Sequence, residues 1–254
     1  CISTIDSYSN VHTQRIEASL NLSRRHLVAG MAEIVKHAMI LDKSYFELLE
    51  VKAEDMIEGD PDARIKIIRR SCELKAGVVE KDEKETGLRK ILNYGHTLAH
   101  ALEIATDHDL AHGEAVAIGL IFAAELACEL GRIGEDRVDE HRRIVAGEYG
   151  LRITPPELLD VDELAALMWR DKKAVDGLTF VLDGPDGVQV VGCPAGDCSF
   201  GLSNTVLAER LDGTRAPHVA RRWEGVAAED WVAPVELRSA IEHPGEHPEV
   251  STDR

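Results

Sequence analysis

The stretch GEAVAIGLIFAAELACELG, residues 113 to 131, is apolar on nearly every side of a helix. A helix at a protein surface shows one apolar stripe, whereas a helix apolar all round has to be enclosed. Lipid does not enclose it. Its longest apolar run, AVAIGLIFAAELA, is interrupted by Glu125 and falls short of the roughly 20 residues that a bilayer requires. The segment therefore predicts a buried central helix, with the rest of the fold as its walls. Gly131 is placed to end it, because glycine accepts the left-handed backbone that closes many helices.

The walls can be read from periodicity. HLVAGMAEIVKHAMILDKSYFELLE predicts one helix, with Leu27, Met31, Ile34, Val35, Ala38 and Ile40 or Leu41 at helical spacing. The next helix starts at Asp60 and Pro61, where the aspartate caps free amides and the proline needs no donor. Ile65, Ile68, Cys72, Lys75 and Val79 then share one face. A charged connection, EKDEKETG, leads to a short helix beginning near Gly95. EDRVDEHRRIVAGEYG is amphipathic through Val138, His141, Ile144, Val145 and Tyr149. DVDELAALMWRDKK opens with Asp160 and Glu163 in capping-box spacing. LTFVLDGPDGVQVV predicts a hairpin around a Gly-Pro-Asp-Gly turn. The expected fold is mainly α with one small β-hairpin, folded over about residues 23–192. Residues 1–22 show no sustained period. Residues 193–254 read as loop, one short helix (TVLAERL) and a largely disordered tail rich in Pro, Glu, Arg and Ala.

Composition narrows the function. A net charge of −17 repels phosphate backbones, which argues against nucleic acid as a partner. An anionic small molecule can still bind where basic residues cluster. No segment suits a membrane span, and the N-terminus lacks the charged head and apolar block of a signal peptide. Five cysteines, Cys1, Cys72, Cys128, Cys193 and Cys198, are too scattered for a disulfide framework. A reducing cytoplasm is the expected compartment. Cys193 and Cys198 have no further Cys or His at matching spacing, so a second metal site is not expected there. The chain opens on Cys and not Met, and a fragment or processed product is expected.

Chemistry concentrates in NYGHTLAHALE and HGEAVAIG, residues 93–103 and 112–119. His96 and His100 are four apart and face one way on a helix; His112 opens the next helix, and Glu33 lies on a much earlier one. Imidazoles with one carboxylate form a common shell for catalytic zinc, leaving a position open for substrate. On spacing alone, a pair such as His96 and His100 is more often a surface or capped core pair than a metal site. Gly95 and Gly113 permit close backbone approach beside two of the histidines.

AGMAEIVKHAMI, ELKAGVVEKDEKETGLRKILNYGHTLAHALE, HGEAVAIG and RDKKAVDGLTFVL together resemble the successive motifs of 3-dehydroquinate synthase, over about Arg24 to Val191. The wider group is the sugar phosphate cyclases. The resemblance implies the helical C-terminal domain of that fold, which carries the metal and most of the substrate site. Glu33, His96 and His112 match the three ligands of its Zn2+ or Co2+. Lys36 matches a substrate-site lysine, and Lys75, Arg89 and Asn93 match residues around the substrate's carboxylate and hydroxyls. His100 matches a histidine near the transferred phosphate, and Lys172 or Lys173 a phosphate-binding lysine. Without the motifs, Lys36 and Lys75 read equally as solvated lysines, Arg89 as a partner of Glu85, and Lys172 and Lys173 as helix-closing charges. His37 has no match and is expected to be structural.

The implied activity is a lyase of the shikimate pathway, acting on 3-deoxy-D-arabino-heptulosonate 7-phosphate. A ring hydroxyl is transiently oxidised at the expense of NAD, and phosphate leaves by β-elimination. The ketone is then reduced back, the ring opens, and an intramolecular aldol closes the carbocycle. Arg89 and Asn93 favour a carboxylate-bearing substrate. The runner-up is a secondary-metabolic cyclase making 2-deoxy-scyllo-inosose or a valiolone, and a third option is a non-catalytic helical remnant. The family's nucleotide-binding domain, with its glycine-rich phosphate loop, has no counterpart here, since the glycines of LDGPDG sit in a hairpin turn. Zinc binding without turnover is therefore expected of the chain alone. The implied partner is a second copy of the chain or a separate nucleotide-binding chain.

Overall fold

The computed structural model describes residues 22–156, 159–171 and 178–193. The expectations for residues 1–21 and 194–254, and for Lys172, Lys173 and Cys198, lie outside these residues.

The first wall is two helices where periodicity predicts one. Helix α1 spans Arg24–Leu41 and α2 spans Lys43–Val51. Between them Asp42 is extended, with φ −157° and ψ 105°. Its Oδ1 accepts from the Tyr45 amide at 2.9 Å and its Oδ2 from Arg70 Nε at 3.0 Å. The apolar pattern continues through this point, so periodicity alone misses the break. The break follows from a short acidic side chain that caps α2 and pairs with a distant arginine.

Helix α3, Ala53–Glu58, ends in Gly59 at φ +99°. Helix α4 is Pro61–Lys81, started as expected by Asp60, whose Oδ1 accepts from the Ala63 amide at 2.7 Å. Its inner face is a correction to the predicted stripe. Ala63, Ile67, Ser71, Leu74 and Val78 are buried, while Ile65, Ile68, Cys72, Lys75 and Val79 are only half-buried. Both sets recur at helical spacing. The inner one is fixed by polar contacts that hydrophobicity does not report. Ser71 Oγ lies 2.8 Å from Nδ1 of buried His37, and Tyr45 Oη donates to the Ile67 carbonyl at 2.7 Å.

A 3-10 turn at Leu88–Asn93 leads to α5, His96–Ala105, and then to α6, His112–Glu129. Helix α6 is the predicted central helix: from Ala115 to Ala127 every residue is buried. Gly131 follows it at φ +67°. Helix α7 is Glu135–Arg142 and widens into a π-helical segment at Arg143–Glu148, while Val138, His141, Ile144, Val145 and Tyr149 all point inward as expected. Helix α8 is Val161–Asp171, and Asp160 Oδ1 accepts from the Glu163 amide at 2.9 Å.

Strands β1, Leu178–Leu182, and β2, Gln189–Cys193, pair antiparallel, with Phe180 opposite Val191. Helices α1, α5 and α7 and strand β1 surround α6. Phe122 meets Phe180 across this contact at a centroid distance of 6.2 Å. Asp183 anchors the hairpin: its carboxylate accepts from Arg137 Nε at 2.8 Å and its carbonyl from Arg132 Nε at 3.0 Å.

Candidate metal centre

Three helices deliver three candidate ligands. Glu33 lies in the middle of α1, His96 is the first residue of α5, and His112 is the first residue of α6. Backbone contact holds these helices together. A Cβ on Gly113 would stand 1.8 Å from the carbonyl oxygen of Ala29, one turn before Glu33. A Cβ on Gly119 would stand 2.0 Å from the carbonyl oxygen of Gly95, which has φ +80° and precedes His96. Only glycine fits such contacts, and they register α6 against both of the other ligand-bearing segments.

One donor atom from each of Glu33, His96 and His112 lies within 4.8 Å of the other two. His96 Nε2 is 3.3 Å and His112 Nε2 is 3.5 Å from Glu33 Oε1. The far ring nitrogens are committed elsewhere. His96 Nδ1 lies 3.2 Å from the Tyr94 carbonyl, and His112 Nδ1 lies 3.1 Å from Glu103 Oε1. A carbonyl and a carboxylate can only accept, so each Nδ1 carries a proton, and in the neutral ring the Nε2 lone pair faces inward. Glu33 Oε1 is itself buried without a hydrogen-bond partner. Such a convergence is costly unless a cation lies among the lone pairs. Two imidazoles and a carboxylate suit a zinc-type ion with an open coordination position. The opening lies beside His112, whose side chain is 49% exposed against 12% for His96 and 13% for Glu33.

Charge in the centre follows from burial and proximity. Burial would raise the Glu33 carboxyl, but Lys36, with Nζ 2.8 Å from Oε2, and the His112 and His96 imidazoles hold it well below the usual range. Burial pulls Lys36 down, opposed by Glu33 and reinforced by the charge of Lys75. Burial and Lys36 also lower His96, which keeps it in the neutral form that binds metals. His112 is raised, first by its contact with Glu33.

Of the other expected site residues, Lys36, Lys75 and His100 lie about this group. Lys36 is 2% exposed, so it is not a solvated lysine. Lys75 is half-buried on α4 and near enough to act on Lys36. His100 sets its ring edge-on against His96, at a centroid distance of 5.5 Å. Arg89 does not pair with Glu85: its Nη1 donates to the Glu83 carbonyl at 2.9 Å, and Glu85 accepts from Asn93 Nδ2 at 2.8 Å. Buried His37 bonds to Ser71 and is pushed down to about 3 by burial.

Three supporting residues escape the sequence reading. Glu103 holds His112, although 96, 100 and 103 share one helical face and could have marked it. Tyr94 orients His96 through its carbonyl, and its hydroxyl donates to His141 Nε2 at 2.9 Å. His141 Nδ1 donates to the Arg137 carbonyl at 2.7 Å, and burial pushes this ring down to about 4. Asp82 folds the connection that carries Arg89. Its carboxylate accepts from the amides of Arg89, Gly87 and Thr86, which hold it at about 2.

Asp82 gives a pH prediction. A carboxyl held below its unfolded value near 3.9 stabilises the fold fully above about pH 4 and loses that contribution as pH falls toward 2. In urea melts from pH 5 to pH 2, D82N is expected to be less stable at pH 5 and to lose less stability on acidification. Parallel curves for the two proteins would contradict this.

Comparisons with known proteins bear on the family. The family model described as 3-dehydroquinate synthase C-terminal matches residues 30–174, more than half of the chain. A 3-dehydroquinate synthase of Thermodesulfovibrio yellowstonii is 40% identical over 158 residues, covering 62% of this chain and 44% of that protein. The structure of 2-epi-5-epi-valiolone synthase from Streptomyces hygroscopicus subsp. jinggangensis, with NAD+ and Zn2+ bound, superposes with a TM-score of 0.65 at 26% identity, covering 77% of this chain and 54% of that one. A 2-deoxy-scyllo-inosose synthase complexed with carbaglucose-6-phosphate, NAD+ and Co2+ gives the same TM-score and identity over 76% and 54%. The chain spans about half the length of the curated relatives it matches. Among the described residues, no helix is long and apolar enough to cross a membrane. The motifs, the helical fold around α6 and the matched residues 30–174 agree, and the chain belongs to the 3-dehydroquinate synthase family.

Proposed function

We propose that the chain is the metal- and substrate-binding part of a 3-dehydroquinate synthase of the shikimate pathway. The reaction converts 3-deoxy-D-arabino-heptulosonate 7-phosphate to 3-dehydroquinate and phosphate. The observation that carries this reading is the convergence of Glu33 Oε1, His96 Nε2 and His112 Nε2 beside a buried lysine. Glu33, His96 and His112 would hold Zn2+ or Co2+. A bound divalent ion supplies Lewis acidity toward neighbouring oxygens of the sugar.

The surrounding side chains are assigned by what an anionic substrate needs. Arg89 can grip a carboxylate through two parallel hydrogen bonds, with Asn93 beside it for a hydroxyl. Lys36 and Lys75 supply positive charge at the ring, and His100 and Lys172 take the phosphate. This local clustering reconciles an acidic chain of net charge −17 with an anionic substrate.

NAD is assigned to a nucleotide-binding domain outside the described residues, where the two strands form only a hairpin and no strand leads into a helix. That domain would belong to the rest of the protein, to a second copy or to a separate chain. Residues 23–192 are the proposed folded unit, and Cys72 and Cys128 form no disulfide among the described residues, which suits a cytoplasmic setting. The structural neighbours are cyclases of other sugar phosphates, so a secondary-metabolic cyclase is the second reading.

Two measurements test the assignment. Chelator-competition titration of the purified chain is expected to show one zinc equivalent. Phosphate release with NAD and zinc is expected only when a nucleotide-binding domain of the family is added. It is expected with the seven-carbon keto-acid phosphate and not with glucose 6-phosphate or sedoheptulose 7-phosphate. Release from either of those in preference selects the second reading, and robust turnover by the chain alone contradicts the two-part arrangement.

A further inference from the structure

His96 and His112 are held in different ways. His96 is enclosed, and its Nδ1 faces the backbone carbonyl of Tyr94. His112 is half-exposed and starts α6 directly after Ala111, which provides no side-chain cap. A ring at a helix terminus, open to water on one side, has rotamers that lead away from the cluster. The ring meets His96 edge-on at a centroid distance of 5.4 Å and Glu33 Oε1 at 3.5 Å, and one further side chain restrains it from the Nδ1 side. Glu103 reaches across from α5, and its Oε1 stands 3.1 Å from His112 Nδ1. Its own side chain is 18% exposed, so it is screened from bulk water more than His112 is.

The rest of the entry to α6 is tethered as well, but not at the ring. Arg25 grips Glu114 with Nε 2.8 Å from Oε1 and Nη2 2.7 Å from Oε2. Glu114 Oε2 accepts from the Ala111 amide at 3.0 Å. These contacts fix where the helix begins. Among the described residues, the hydrogen-bond partner of His112 Nδ1 is Glu103.

We propose that Glu103 is a positioning residue for the metal ligand His112, bridging α5 to the imidazole so that Nε2 is kept turned toward Glu33 and His96. A carboxylate does this better than a neutral acceptor. It makes a charge-assisted hydrogen bond with Nδ1–H and increases the donor strength of the opposite nitrogen. The exposed ligand thus receives the anionic partner, and the enclosed ligand needs only a carbonyl. Glu103 therefore bears on retention of the ion and not on its position in the fold.

This inference rests on the metal reading of the Glu33, His96 and His112 group, and the test separates the two. Zinc affinity is measured by chelator competition for the unaltered chain, E103A, E103Q, H112A and E103A/H112A, with thermal melts of each metal-free protein. E103A is expected to weaken zinc binding about 10- to 100-fold, and E103Q by less, because the amide oxygen can still accept from Nδ1. Metal-free melting temperatures are expected to stay together. In the H112A background, removing Glu103 is expected to change zinc affinity less than twofold. Zinc affinity unchanged in E103A overturns the proposal. So does an equal loss on removing Glu103 in the presence and absence of His112. If E103A is poorly folded, E103Q and the E103Q/H112A pair give the same readout. Absence of zinc binding by the unaltered chain overturns the metal reading itself.

Discussion

Replacing His96 with alanine is expected to weaken zinc binding by a hundredfold or more. Zinc sites of four ligands contribute on the order of 10 kcal/mol or above at neutral pH, so one ligand carries roughly 2–3 kcal/mol, about two powers of ten. His96 is the ligand for which the loss should be cleanest. Its ring is 12% exposed and its Nε2 lies 3.3 Å from Glu33 Oε1, so the substitution removes a donor from the enclosed side of the group. Chelator competition against the unaltered chain gives the ratio. A loss below threefold would remove His96 from the ligand set. H100A serves as the contrasting variant, because His100 touches the His96 ring edge-on and is assigned to substrate. Its zinc affinity is expected to fall by far less.

The second large effect is structural. Gly113→Ala would place a methyl group 1.8 Å from the Ala29 carbonyl oxygen, well inside any real contact. Backbone cannot rotate out of the way as a side chain can, so α1 and α6 must separate. Overpacking of this kind costs about 1–3 kcal/mol, and more where nothing flexible can yield. For a folded unit of this size, about 3 kcal/mol corresponds to a fall of roughly 6–12 °C in melting temperature. Zinc affinity should fall with it, because the separation moves Glu33 relative to His112. Gly77→Ala is the control. Nothing lies within 4 Å of a Cβ there, and the position is in the interior of α4. That change is expected to raise stability by about 0.4–1 kcal/mol. Equal melting temperatures for the two alanine variants would show that the α1–α6 contact is not close.

The central helix was legible because α6 has no polar face, and burial all round is the only stable fate for such a segment. The ligand set was legible through motif resemblance; spacing alone left His96 and His100 equally eligible. The structure puts His96 in the cluster and His100 against its ring, while His112 comes from the next helix. Two features were hidden for a physical reason. The break at Asp42 depends on Arg70, 28 residues away, and the inward face of α4 depends on His37 and Tyr45. Hydrophobic periodicity does not encode polar partners that meet only after folding. Glu103 belongs with them, since its contact with His112 arises only when α5 and α6 pack together.

With Gly113 and Gly119 holding helices at backbone distance, the entropy of gathering Glu33, His96 and His112 is lost during folding, before any ion arrives. A cation bound as proposed would meet a socket already assembled, and its binding free energy would not be spent on ordering the chain. Occupancy and folding are thereby coupled through mass action. Free zinc at a hundred times its dissociation constant would add about 2.7 kcal/mol to the folded state. The converse also holds. Any change that loosens the glycine contacts lowers metal occupancy at fixed zinc, even where every ligand side chain is intact.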